Sequence, residues 1–202
     1  ALAGEGFVLH WQPVMSLQGE PGELYEACLR VEVNGELVTP SGFLGIAEEH
    51  GLLAEIDRWV VRRVIAVLGE RERAGRRTGL IARVSPVSFA GEELVQLVRA
   101  ELAAQGVPGE RLWLEAPEAR VFTHLRSARQ FLDAVAPLGC RVGLEQFGSG
   151  LDSFQMLAHF KPAFVKIDPG LTEGVGKGGE GQDKVRAITE RARAEGIVTV
   201  AE

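Results

Sequence analysis

The chain is poor in cysteine. Of its 202 residues only Cys28 and Cys140 carry thiols, and they form no Cys-x-x-Cys pair. A disulfide framework and a cysteine-built zinc site are thereby excluded, and a reducing compartment, the cytoplasm, is expected. Long apolar runs are missing too. The most apolar stretches, Val64 to Leu68 and Ile197 to Ala201, fall far short of the roughly 20 residues that a membrane-spanning helix needs. No basic segment followed by an apolar one marks a secretion signal. Positive charge is scarce: 22 Lys and Arg against 28 Asp and Glu give a net charge of −6. No global field therefore attracts DNA or RNA, and a phosphate-bearing partner would need a local site. His10, His50, His124 and His159 show no metal-ligand spacing. The chain begins without Met and stops at Glu202, so a piece cut from, or ordered within, a longer protein is expected.

What is present is an ordinary globular balance, with 46% apolar and 25% charged residues. Phe7 to Leu17 and Leu24 to Val33 read as strands. The short, turn-rich link between them favours an antiparallel pair. Helices are expected over Ser41 to Glu49 and Ala54 to Ala74, where Ile56, Val60, Val64 and Leu68 recur at three- to four-residue spacing. Strand–helix units follow: Leu80–Val84 with Glu92–Gln105, Leu112–Leu114 with His124–Ala136, Val142–Leu144 with Asp152–Leu157, and Phe164–Ile167 with Asp183–Ala194. Ile197–Ala201 reads as a last strand. Serial units of this kind build a parallel sheet covered by helices. One α/β domain over residues 1–202 is predicted, a modified TIM-like (β/α) barrel. Such barrels take about 250 residues, so the final strand and helix are expected to be missing. A doubly wound sheet is the weaker alternative, because no glycine fingerprint follows the first strand.

Barrel chemistry lies at the carboxyl ends of the strands. There the sequence sets Glu26, Arg83, Glu115 with Glu118, Glu145 with Gln146, Lys166 with Asp168, and Glu202. Carboxylates gathered this closely repel one another unless a cation sits among them. A pair of divalent metals is one solution, and a guanidinium is another.

In order and spacing these segments resemble an EAL domain, the family of cyclic di-GMP phosphodiesterases. Gln12-Pro13-Val14 is similar to the family's opening strand, and Glu26-Ala27-Cys28-Leu29-Arg30 to its Glu-Ala-Leu-Leu-Arg signature. Pro40-Ser41-Gly42-Phe43 with Ala47-Glu48-Glu49-His50-Gly51-Leu52 resembles the helix that follows. Leu114-Glu115-Ala116-Pro117-Glu118, Phe147-Gly148-Ser149-Gly150-Leu151-Asp152-Ser153, Val165-Lys166-Ile167-Asp168 and Val198-Thr199-Val200-Ala201-Glu202 match later motifs. The resemblance implies a barrel with an antiparallel first strand. In active members it implies two divalent metals that activate water and clamp the scissile phosphate.

The departures fall on the metal positions. By resemblance the ligands stand at Glu26, position 83, Glu115, and positions 145 and 146. Where the family has Asn, this chain has Arg83; where it has Asp-Asp, this chain has Glu145-Gln146. Arg83 is permanently positive. It removes a neutral ligand, repels Mg²⁺, and is expected to pair with Glu26, Glu115 or Glu145. A side chain swung into solvent, over a site that takes metal weakly, is the alternative. Glu145 is a methylene too long, and Gln146 lacks the charge of a bridging ligand. Catalysis and a bound metal are therefore not expected.

The nucleotide-holding positions look better kept. Gln12 is expected at a base or phosphate, Leu29 as an apolar floor, Arg30 at a phosphate and Glu202 at the nucleotide. Asp57 fits a guanine edge, or else a helix cap or ion-pair partner. The resemblance thus implies a non-catalytic cyclic di-GMP receptor, similar to those that accompany type IV pilus control and bind PilZ-type adaptors. An active phosphodiesterase is the alternative, since Glu26, Glu115, Glu118, Lys166 and Glu202 keep the family's catalytic positions; Mg²⁺ or Mn²⁺ would belong to it alone. A scaffold indifferent to nucleotide is a third reading. The loop at 147–153, which by resemblance joins the metal site to the dimer contact, keeps its glycines but loses its Tyr and first Ser, so communication to the partner of a homodimer is not expected.

Three features are set aside. Arg62, Arg63, Arg71, Arg73, Arg76 and Arg77 interleave with Glu70 and Glu72 and suit a solvated helix end. The glycine-rich run 174–181 lacks P-loop spacing. Trp11, Trp59 and Trp113 are expected in the core.

Overall fold

The computed structural model describes residues 6–19, 22–150, 152–173, 175–177 and 180–201. β1 (Phe7–Val14) and β2 (Glu23–Val33) form the expected antiparallel pair, and β3 (Glu36–Val38) folds back on β2 through Asn34-Gly35. Both turn residues lie at positive φ, the geometry a tight hairpin demands and Asn-Gly accepts at little cost. Then come α1 (Leu44–Glu49), α2 (Leu53–Arg73), β4 (Thr78–Arg83), α3 (Glu93–Gln105), β5 (Leu112–Pro117), α4 (Glu118–Thr123), α5 (Leu125–Val135), β6 (Arg141–Phe147), α6 (Ser153–Phe160), β7 (Phe164–Ile167), α7 (Pro169–Thr172), α8 (Glu180–Ala194) and β8 (Val198–Ala201). The sheet runs β1-β2-β4-β5-β6-β7-β8, parallel from β2 onward. This is a mixed α/β fold with a curled sheet, a partial TIM-like barrel.

Several boundaries differ from the sequence reading. β1 stops at Val14 rather than Leu17, and β5 and β6 run three residues past their expected ends. β3, α4 and α7 were not anticipated; each is six residues or shorter, below the length at which hydrophobic periodicity can be read.

Two cores flank the sheet. The larger lies under the helices, where Ile56, Val60, Val64 and Leu68 of α2 are buried as their spacing predicts. The smaller plugs the inside of the curl: Ile81, Trp113 and Phe164, with Val14 and Leu24 against them. There the rings of Trp113 and Phe164 lie 4.9 Å apart. Gly143 is required opposite them, since an added Cβ would stand 2.5 Å from the Phe164 ring. Trp59 packs against the larger core, but Trp11 is 36% exposed. That corrects its expected burial: Trp11 lies on β1, the edge strand of the sheet.

Arginines along α2 and just beyond it form ion pairs. Arg58 reaches Glu93 at 2.7 Å, Arg62 reaches Glu101 at 3.0 Å and Arg76 reaches Glu23 at 2.9 Å. These ties brace α2 against α3 and β2. No helix among the described residues is long and apolar enough to cross a membrane.

Candidate functional site

Strand alternation builds the site from the inner plug upward. Side chains two apart on a strand share a face. If Leu24, Ile81, Trp113, Gly143 and Phe164 face inward, so do Glu26, Arg83, Glu115, Glu145 and Lys166 one step nearer the carboxyl ends. On β1 the register pairs Gln12 with Glu26, His10 with Cys28 and Val8 with Arg30, so these too stand on the inner face.

Lys166 lies at the centre of this layer. Its Nζ donates to Glu26 Oε2 at 2.8 Å and to Glu115 Oε1 at 3.0 Å. Its side chain is 3% exposed, and that of Glu115 is fully buried. Burial works against the Lys166 charge, but Glu115 and Glu26 outweigh it and hold the ammonium above its usual range. Burial pushes Glu115 up to about 8; Lys166 opposes the shift, and the neighbouring Glu145 and Glu26 add to it. Glu115 Oε2 is buried without a hydrogen-bond partner among the described residues.

Arg83 takes the remaining acid. Its Nε pairs with Glu145, whose side chain is buried, while 44% of the arginine side chain stays exposed. Of the three partners expected for Arg83, the structure selects Glu145, and the ammonium of Lys166 serves the other two. Sequence reasoning gave the central charge to the arginine. The signal for Lys166 was its inward parity with Phe164 on β7.

Gln146 does not join the layer. It is exposed, on a left-handed backbone (φ 53°) at the irregularity between β6 and β7, and its carbonyl oxygen accepts from Ser149 Oγ at 2.7 Å. Leu29 is corrected outright. Lying between the inward Cys28 and Arg30, it faces the helices and packs against the larger core, and Cys28 stands on the inner face in its place. The Cys28 thiol is raised by burial first and by Glu26 next, and its Sγ lies 3.9 Å from Gln12 Oε1. Arg30 is partly buried, with Nη1 donating to the Leu29 carbonyl at 2.7 Å. His10, exposed opposite Cys28, is an inner-face residue that the search for metal spacing passed over; only strand pairing reveals it.

Asp57 stands beside the turn that follows β4. It is 7% exposed on α2. Its Oδ2 accepts from Ser85 N at 2.8 Å, from Ser85 Oγ, and from Ser88 Oγ at 2.6 Å. It therefore pins the turn just beyond Arg83. Glu118, 4% exposed, accepts from Gly148 N at 3.0 Å and holds the loop after β6. Asp168 caps α7 by accepting from Gly170 N at 2.9 Å. Glu202 and Leu151 lie outside the described residues.

The donor set fits a two-metal centre poorly. Each of the three acids already holds an ammonium or a guanidinium, and Gln146 is turned out. Among the described residues no group of three or more His, Cys, Asp or Glu converges as metal ligands. Glu115 Oε2 is buried and finds no hydrogen-bond partner among the described residues.

An inner plug below and a layer of acids at the strand ends, on a barrel with one reversed strand, define a class. The EAL domain family model matches residues 1–202, and the chain belongs to that family. Among solved structures it is similar to the EAL domain of Xanthomonas citri FimX in complex with c-diGMP: 58% identity, TM-score 0.94, covering 100% of this chain and 79% of that one. The Pseudomonas aeruginosa FimX EAL domain bound to c-di-GMP is 31% identical, with a TM-score of 0.91 over 100% of this chain and 81% of that one. The cyclic di-GMP phosphodiesterase PdeF of Escherichia coli is 27% identical over 100% of this chain and 27% of its own length. The chain thus spans about a quarter of that relative.

Proposed function

We propose that this domain is a receptor for cyclic di-GMP that does not hydrolyse it. The observation that carries the reading is the pairing of Glu26 and Glu115 with Lys166 and of Glu145 with Arg83. Hydrolysis by two metals needs those carboxylates as ligands, and a metal would have to displace fixed cations to reach them. The likeness to two FimX domains solved with the dinucleotide supports the binding half of the proposal. Gln12 and Arg30 line the inner face of β1 and β2, and Arg30 is the natural partner for a phosphate oxygen. Glu202 is kept as a further nucleotide contact. No cofactor is required. The bound state is then read by a protein partner, for which a PilZ-type adaptor in type IV pilus control is the proposal, in the cytoplasm and with a homodimer as one assembly.

Calorimetry with cyclic di-GMP in chelator tests the first half. Saturable heat that weakens in Arg30→Ala supports a receptor; no heat at high micromolar ligand rejects it and leaves a scaffold. Chromatography of cyclic di-GMP incubated with the domain and Mn²⁺ tests the second half, with no linear product expected.

A second reading, an active phosphodiesterase, is favoured by two observations. Glu26, Glu115, Glu118 and Lys166 are retained, and Glu115 Oε2 has no hydrogen-bond partner among the described residues. Mn²⁺-dependent product that disappears in Glu26→Ala would establish it.

A further inference from the structure

The mouth carries two arginines on neighbouring strands, and the proposed ligand carries two phosphodiesters. β2 and β4 pair in parallel, with Glu26 opposite Ile81 and Ala27 opposite Ala82. One residue further, Arg83 stands level with Cys28, and Arg30 stands two residues higher on β2. With a rise of about 3.3 Å per residue and about 4.8 Å between strands, the two Cα atoms lie about 8 Å apart, both on the inner face. Arg30 is tied by one Nη to the Leu29 carbonyl. Arg83 is tied by Nε to Glu145, while 44% of its side chain remains exposed. An arginine held at Nε still presents its two terminal amino groups as a fork, the geometry that matches two oxygens of a phosphate.

We infer that Arg83 is a direct phosphate ligand: Arg30 holds one phosphodiester of the dinucleotide and Arg83 the other. The inference rests on the receptor reading and deepens it. Arg83 then has two tasks, neutralising Glu145 and supplying the positive charge that metals would bring to the second phosphate. Glu145 in turn orients the fork. The anchor of Arg83 is set from behind by Asp57, which fixes Ser85 and Ser88 immediately beyond it.

The test is calorimetry in chelator on the whole domain, with wild type, Arg83→Gln and Arg83→Lys. A charge-assisted hydrogen bond to phosphate is worth about tenfold to hundredfold in affinity. Arg83→Gln is expected to lose that factor, and Arg83→Lys to lose less, because it keeps the charge but not the fork. Phosphorus NMR of the bound dinucleotide gives an independent readout: Arg83→Lys is expected to move one of the two resonances and Arg30→Lys the other. Should Arg83→Gln fail to fold, the lysine variant carries the test alone. Wild-type affinity in either folded variant, or resonances unmoved by Arg83→Lys, overturns the inference. Absence of binding by wild type is a different result, since it removes the receptor reading itself.

Discussion

The ammonium of Lys166 lies 3.0 Å from Glu115 Oε1, and both side chains are shut away from solvent. Two buried charges so placed are costly to make and costlier to break. Removing one leaves the other buried and uncompensated, at about 3–5 kcal/mol. Lys166→Met is expected to lose stability on that scale in urea unfolding. Adding Glu115→Gln is expected to recover part of the loss, since the uncompensated charge goes with it. A single-variant loss below about 1 kcal/mol would show that Glu115 simply takes up a proton, as its raised pKa of about 8 allows.

Metal should be invisible to this protein. Millimolar Mn²⁺ is expected to leave the wild-type Tm unchanged, because Lys166 and Arg83 hold the acids it would need. The variant Arg83→Asn/Glu145→Asp/Gln146→Asp restores the ligand types of the working relatives. At a hundredfold excess over Kd, a ligand specific to the folded state adds about 2.7 kcal/mol, or about 5–10 °C in Tm for a domain of this size. A wild-type shift of that size in Mn²⁺ would remove the case for a metal-free mouth.

The residues that were legible in the sequence are those fixed by alternation over long strands. Leu24, Glu26 and Arg30 fall on one face of β2 as a period of two requires, and the acids of β5 and β6 follow from the plug beneath them. Leu29 was misplaced for the same reason: a motif read as a string puts neighbours together, whereas a strand sends them to opposite faces. His10 was invisible because its relation to Cys28 exists only across the β1–β2 register. The role of Asp57 depends on serines 28 and 31 residues away, a contact created when α2 packs on β4. The division of charge between Lys166 and Arg83 depends on which acids lie nearest in space, and sequence spacing does not encode that.

Glu118 ties the loop after β6 by accepting from the buried Gly148 N–H. In Glu118→Ala that donor is left without a partner, at a cost of about 1–3 kcal/mol. The loss is expected to be local, as faster hydrogen exchange at residues 147–150 with little change in the α2 amides. Gly148→Ala is expected to disturb the same segment by a different route. Its φ of 95° is costly for any side chain, and an added Cβ would stand 2.7 Å from both Ile188 Cδ1 and Leu171 Cδ1. Uniform exchange across the domain in both variants would show that the loop is not a separate unit.

Asp57 makes a prediction about pH whose sign is unusual for a carboxylate. Burial raises it from 3.8 to about 6, against the hydrogen bonds from Ser85 and Ser88 that favour its charge. A folded-state pKa above the unfolded value means that the folded protein binds the proton more readily. Between about pH 4 and pH 6 the folded form therefore carries more protons than the unfolded chain, and this group's contribution to stability falls as pH rises through that window. Above it the penalty is complete. Asp57→Asn removes the titration while keeping one oxygen to accept from the serines. Urea unfolding of wild type and variant from pH 4.5 to 7.5 separates this effect from that of Glu115, which works in the same direction in both proteins up to about pH 8. Wild-type stability relative to the variant is expected to decline as pH rises through 6. Parallel curves across that range would mean that Asp57 stays ionised in the folded protein, held by the three hydrogen bonds on Oδ2 more strongly than burial opposes them.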